Sequence, residues 1–199
     1  MSPPTLGCIL AGGASRRMGR DKAAIPLAGR PLIRHVVERL RPQCDALVVA
    51  GPAAAPTLSA TGLTVLDDAI TGGLGPLAGV LTALRHGAER GFTVVVTAPV
   101  DAPFLPADLV ARLRGARAAA SIVQAASGGR IHHATALWST ALAADLAIAL
   151  ERDGVRRVEA FAARHPTAQA SWPTAAGDPF DNVNTPADLA RAEARLAGT

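Results

Sequence analysis

A chain of 199 residues is long enough to bury one substantial α/β core, and its 49% hydrophobic content, much of it alanine, fits a globular, helix-rich protein. No apolar stretch could span a bilayer and no basic-then-apolar leader opens the chain, so a cytoplasmic protein without membrane contact is expected. The formal net charge is +4, only 3% of residues are aromatic and no long basic run occurs; this argues against a nucleic-acid partner and leaves small anionic ligands to meet the positive charge.

The first predicted element is a buried β-strand over the apolar run Leu6 to Leu10. It leads into the stretch Leu10-Ala11-Gly12-Gly13-Ala14-Ser15-Arg16-Arg17-Met18-Gly19-Arg20-Asp21-Lys22. Its three glycines leave little side-chain bulk, so backbone N–H groups can approach an anion closely, and Arg16, Arg17, Arg20 and Lys22 add cationic side chains. An apolar strand, a glycine loop and then Arg and Lys suit the binding of a polyphosphate. Lys22 is the only lysine of the chain. In a sequence that otherwise uses arginine, it reads either as a chance lysine on a solvated loop or as a position where a compact ammonium is wanted and a broad guanidinium is not, and its rarity favours the second. The spacing matches neither the GxxxxGK[ST] P-loop nor the GxGxxG dinucleotide signature.

Residues 23–30 contain Pro26 and Gly29 and read as a turn or irregular connection. Pro31 then opens a helix, where its missing N–H costs nothing, and Leu32, Val36, Val37 and Leu40 form the apolar face. His35 reads as a packing or surface residue. The second strand is predicted over 45–50, a Pro/Ala-rich loop over 51–61, and the third strand over 63–66, ending in Asp67-Asp68. A carboxylate at the C-terminal end of a strand in an open α/β sheet faces the ligand crevice. A second glycine-rich loop, 71–79, opens a helix near Pro76 that runs to about His86. The β-branched run 92–98 has the pattern of a central parallel strand buried on both faces. It ends in Pro99-Val100-Asp101-Ala102-Pro103, which sets Asp101 just past the strand's C-terminal edge. Asp101 reads either as a turn or cap aspartate or as a Mg²⁺ ligand. Its setting beside the glycine loop favours the metal, since Mg²⁺ takes one or two carboxylates together with phosphate oxygens.

A helix is predicted over 106–114, then strands over 118–124 and 130–138 joined by the hairpin signal Ser127-Gly128-Gly129, which brings an antiparallel element into the sheet. His132 and His133 are neighbours on a strand, face opposite sides and do not readily chelate one ion; His133 is taken as an acceptor-substrate contact. Helices over 140–150 and 155–163 follow. Asn182 and Asn184 are the only asparagines of the chain, and as a strand they would share one face; they read either as turn residues or as ligand-facing side chains, and their rarity favours the latter. Pro186 starts a last helix, 187–196, with Thr185 as N-cap. Cys8 and Cys44 are expected to be free structural thiols. No repeat or linker divides the sequence, so one domain over residues 1–199 is expected. No convincing Ser-His-Asp or Cys-His set stands out for nucleophilic catalysis.

The Leu10 to Lys22 stretch resembles the LAGGxSxRMGxDK signature of the molybdenum cofactor guanylyltransferases. The resemblance extends in order to Gly75–Gly79 (GPLAG), Asp68, the PxDxP element around Asp101 and the NxNTPxxL run from Asn182 to Leu189. It implies a glycosyltransferase-A-like, Rossmann-like nucleotidyltransferase fold: three layers, α/β/α, around a mostly parallel sheet. It also implies that Leu10, Ala11 and Gly12, with Gly13 in the same loop, bind GTP together with Lys22, Asp68 and Asp101. Asp101 would hold Mg²⁺, and Arg17 and Lys22 would balance the triphosphate charge. The implied reaction is transfer of GMP from GTP to molybdenum-molybdopterin with loss of pyrophosphate. Molybdenum-insertion proteins and molybdoenzyme chaperones would be its partners. Ala50, Val100 and His133-Ala134 depart from the family's usual asparagine, cysteine and His-Pro, and the first of these puts one nucleoside contact in question. A molybdopterin cytidylyltransferase, a sugar- or polyol-phosphate nucleotidyltransferase and a non-catalytic nucleotide-binding adaptor are the alternatives. The LAGG order favours guanylyl over the cytidylyl LAAG.

Overall fold

The computed structural model describes residues 3–12, 21–67 and 75–198. In chain order these form β1 (Thr5–Leu10), a 3-10 turn (Lys22–Ala24), a ribbon of β2 (Pro26–Leu27) and β3 (Arg30–Pro31), α1 (Leu32–Leu40), β4 (Ala46–Ala50), α2 (Pro56–Ser59) and β5 (Thr64–Leu66). Then come α3 (Pro76–Glu89), β6 (Val94–Pro99), α4 (Leu109–Gly115), β7 (Ile122–Ser127), β8 (Arg130–Ser139), α5 (Ala143–Glu151), α6 (Val158–Ala162), β9 (Thr167–Trp172) and α7 (Pro186–Ala197).

Seven strands form one sheet in the order β5-β4-β1-β6-β8-β7-β9. β1 is parallel to β4 and β6, β4 to β5 and β7 to β9; β8 runs against both of its neighbours. The sheet is therefore mostly parallel with one antiparallel strand, as expected. The period-2 alternation of the central strands sends side chains to two separate cores. On β1, Leu6, Cys8 and Leu10 join the core under α3, α5 and α6, while Ile9 joins the core under α1 and α4. These are the three layers of an α/β/α fold. A smaller cluster packs α7 on the β2–β3 ribbon through Leu27, Phe104, Val183 and Ala192.

Gly7 occupies the one inward position of β1 with no side chain, and there a Cβ would lie 2.7 Å from Cys44 Sγ and 2.7 Å from Leu47 Cδ1. Cys8 and Cys44 are not joined in a disulfide, and burial pushes the Cys44 thiol up to about 12, which keeps it protonated. In the middle of the sheet Trp138 Nε1 donates to Thr97 Oγ1 at 2.9 Å, and Thr97 passes its own hydrogen to the Ala134 carbonyl at 2.8 Å. Thr97→Val strands the fully buried indole N–H, so unfolding in denaturant should show a loss of about 1–3 kcal/mol.

Several expected elements differ. Residues 23–30 are not irregular throughout, since they hold the 3-10 turn and part of the ribbon. The loop 51–61 contains the short helix α2, with Pro56 in its first turn. β7 starts at Ile122 rather than 118, because Ala118 takes a left-handed φ of 38° in a turn closed from Ala120 to Arg117. β9 has no counterpart among the predicted elements. Residues 182–184 are not a strand but the end of an irregular strap that leaves Trp172 at the sheet edge and returns to the centre. Thr185 does cap α7, in a reciprocal box with Asp188. Among the described residues no helix is long and apolar enough to cross a membrane.

Candidate active site

The chain leaves β1 for β4 and β5 on one side and returns to β6 on the other, so the order reverses at β1. Such a switch point opens a crevice at the C-terminal strand ends, where α/β sheets take their ligands. Backbone bonds continue the ladder past those ends: Val100 N donates to Leu10 O (3.1 Å), Ala11 N to Ala50 O (2.8 Å) and Gly51 N to Leu66 O (2.9 Å). These groups of Leu10 and Ala11 hold the strand ends together rather than standing free toward a ligand. Gly51 lets the backbones close up, since a Cβ there would lie 3.2 Å from the Ala11 carbonyl carbon. Asp67 Oδ1 accepts from Ala53 N at 2.7 Å and fixes the loop after β4.

Asp101 stands at the end of β6, in a turn closed from Ala102 N to Pro99 O. Its side chain is 10% exposed, and both carboxylate oxygens are engaged. Lys22 Nζ donates to Oδ2 at 2.9 Å and Asn182 Nδ2 donates to Oδ1 at 3.2 Å. Lys22 comes from the 3-10 turn, whose N-cap Asp21 accepts from Ala23 N, and its ammonium also donates to Asn184 Oδ1. A main-chain bond from Val183 N to Asp101 O (2.8 Å) fastens the strap between the two asparagines. Residues 22, 101, 182 and 184, remote in sequence, thus meet in one charge-compensated cluster. An ammonium has three donors, so Lys22 can serve these two partners and still face an anion.

Asp101 is a hard oxygen donor at the crevice, and each of its carboxylate oxygens keeps acceptor capacity beyond the one bond it receives from Lys22 or Asn182. Among the described residues no cluster of three or more His, Cys, Asp or Glu could cage an ion. This donor chemistry fits Mg²⁺, which takes one or two carboxylates and draws its other oxygens from phosphate and water.

His133 lies on β8 beyond the Thr97–Ala136 pairing, toward the same end of the sheet. It is bound elsewhere, with Nδ1 2.9 Å from Gln124 Nε2 and Nε2 3.7 Å from Glu159 Oε2. The expected site residues Gly13, Arg17 and Asp68 lie outside the described residues. Beside Asn184 a hollow of about 440 Å³ is lined mainly by apolar groups, including Ile25, Pro26, Val183, Pro186 and Leu189. The sequence reading missed one set: Ser127, His132 and Asp178 do converge in space, although 51 residues separate the serine from the aspartate. Burial pulls the His132 imidazole below its ordinary pKa, with Asp178 pulling it the other way. Nothing in the local sequence signals this meeting, because it depends on where the strap runs.

The model of the MobA-like NTP transferase domain matches residues 7–169. The chain belongs to the MobA-like NTP transferase family. As such a transferase it is 47% identical over 202 residues to the molybdenum cofactor guanylyltransferase of Rhizobium meliloti (strain 1021), covering 98% of this chain and 92% of the relative. It is 48% identical over 191 residues to that of Cereibacter sphaeroides, with 96% of each chain covered. In structure the MobA-like domain is similar to the molybdopterin-guanine dinucleotide biosynthesis protein A of Archaeoglobus fulgidus, with a TM-score of 0.77, 27% identity, and 98% and 100% of the two chains covered.

Proposed function

We propose that this MobA-like transferase moves GMP from GTP to molybdenum-molybdopterin, releasing pyrophosphate and forming the molybdopterin guanine dinucleotide cofactor. The observation that carries the reading is the convergence of Lys22, Asp101, Asn182 and Asn184 at the switch point, in a chain 47% identical to a molybdenum cofactor guanylyltransferase. A terminal phosphate oxygen of the acceptor attacks the α-phosphorus of GTP. The bond from that phosphorus to the oxygen bridging to the β-phosphate breaks, and pyrophosphate leaves with its electron pair. Such a displacement needs alignment and charge neutralisation more than a protein nucleophile. Lys22 places a positive charge on the triphosphate, the Gly12 loop carries the nucleotide, and Asn182 and Asn184 meet the acceptor. Asp101 would hold Mg²⁺, which when bound neutralises phosphate charge and polarises the reacting phosphoryl group. Arg17, Asp68 and Gly13 complete the nucleotide side in this reading, and His133 belongs to the acceptor side. The enzyme works in the cytoplasm, between molybdenum-insertion proteins and molybdoenzyme chaperones.

Ligand linkage gives a direct test of the nucleotide. With Mg²⁺ present, GTP should raise the melting temperature clearly more than equal concentrations of CTP or ATP. Equal shifts for all three would remove the guanylyl assignment and leave triphosphate binding standing.

A further inference from the structure

Ser127, His132 and Asp178 form a second polar set, built into the hairpin and the strap. Ser127 ends β7 and is 3% exposed. It lies two residues after Ala125, which pairs with His132 on β8, so the period of two puts Ser127 and His132 on one face. His132 Nε2 lies 2.7 Å from Ser127 Oγ, and Ser127 Oγ donates to Asp178 Oδ1 at 2.7 Å. The serine has one hydrogen, and it goes to the carboxylate. The imidazole must therefore be the donor to the serine oxygen, in the order Nε2–H to Oγ–H to Oδ1.

That order excludes a hydrolytic triad. With a hydrogen on Nε2, His132 has no lone pair there to take a proton from Ser127. The carboxylate orients the serine rather than Nδ1 of the imidazole, which is the reverse of what nucleophilic catalysis needs.

What the set does hold is the strap. Asp178 Oδ1 also accepts from Phe180 N at 2.9 Å, and its carbonyl accepts from Arg195 Nη1 of α7 at 2.7 Å. Phe180 is 1% exposed and packs against His132 (centroids 4.7 Å apart) and Trp172 (5.2 Å). Two residues beyond Phe180 the strap reaches Asn182, then Val183 on the Asp101 carbonyl, then Asn184 on Lys22. We propose that Ser127, His132 and Asp178 are positioning residues for the acceptor half of the active site, fixing the strap so that Asn182 and Asn184 stand where the acceptor phosphate binds. The inference rests on the reading that these asparagines meet the acceptor.

The test uses Ser127→Ala, which removes both hydroxyl bonds with little change of volume, and compares Asp178→Ala with Asp178→Asn, which keeps an acceptor oxygen. In the free enzyme, hydrogen exchange at the Val183 amide should quicken about ten-fold in Ser127→Ala, while amides of β1 and β6 keep their rates. In turnover, KM for the molybdopterin acceptor should rise about ten-fold with KM for GTP within about two-fold, because only the strap has loosened. Asp178→Asn should recover much of what Asp178→Ala loses. Unchanged exchange at Val183, or faster exchange with an unchanged acceptor KM, overturns the proposal, as does an equal rise in both KM values. If Ser127→Ala fails to fold by circular dichroism, the Asp178 pair decides by the same measurements. Absence of GMP transfer by the unmodified enzyme would instead defeat the functional reading, and the exchange measurement would still decide whether the relay anchors the strap.

Discussion

Asp101→Asn is expected to lower GMP transfer at least ~100-fold, the scale of losing a metal's electrostatic contribution, with circular dichroism unchanged. The substitution keeps shape and removes charge. In the native cluster the Asp101 carboxylate accepts from Lys22 on one oxygen and from Asn182 on the other. An asparagine can keep one of these bonds, but its NH₂ turned toward the ammonium puts donor against donor. That local misfit should be tolerated, because the Lys22 side chain is 25% exposed and its ammonium keeps Asn184 and water. The Val183 N–H to Asp101 O bond belongs to the main chain and survives as well. What an amide cannot replace is a hard anionic ligand for Mg²⁺. The decisive comparison is turnover against Mg²⁺ concentration for both proteins. Near-normal activity with an ordinary Mg²⁺ dependence would show that Asp101 only ties the strap and the Lys22 turn to the sheet.

The parts of the fold most legible in the sequence were those with strong periodicity. The β-branched run around Val94–Val96, the hairpin glycines, and α3 and α7, each with a proline in its first turn, stand close to where the pattern predicts them. β9 escaped because its alternation rests on Ala168, Ala170 and Trp172, with polar residues between them and a proline just before. Two alanines give little hydrophobic contrast, and only its pairing to β7 makes the segment a strand. Within the candidate site, rarity was the useful signal. The only lysine and the only two asparagines of the chain meet at Asp101. Their conformation differs from the expected strand, since Asn182 reaches Asp101 and Asn184 reaches Lys22 from an irregular strap. The Ser127–His132–Asp178 relay was beyond local reading, because long-range placement brings the strap to the hairpin. The hydroxyl, imidazole and carboxylate carried no pattern before that.

Modification of the sole lysine should abolish most of the activity, and GTP with Mg²⁺ should prevent it. The chain has one ε-amine, so reductive methylation can reach only Lys22 and the N-terminal amine. The side chain is 25% exposed, which gives the reagent access. Dimethylation keeps the charge but enlarges the head group and removes two of three donors, whereas the cluster uses at least two, toward Asp101 and Asn184. The modified ammonium can no longer serve both partners and a phosphate oxygen. Lys22→Arg should also be poor: a planar guanidinium cannot take the place of a compact ammonium between Asp101 and Asn184 without moving one of them. In both cases the loss should be on the order of ten- to a thousand-fold, the range for removing one preorganised charge contact at a reacting phosphate. Melting should change little, since the residue sits in a short 3-10 turn whose N-cap bond, from Ala23 N to Asp21, does not involve its side chain. Mass spectrometry locates the label, and the same sample is assayed. Protection by GTP with Mg²⁺, but not by Mg²⁺ alone, would place the ammonium on the triphosphate. Full activity in protein shown to be methylated at Lys22 would end the assignment and leave the residue as a structural partner of Asp101.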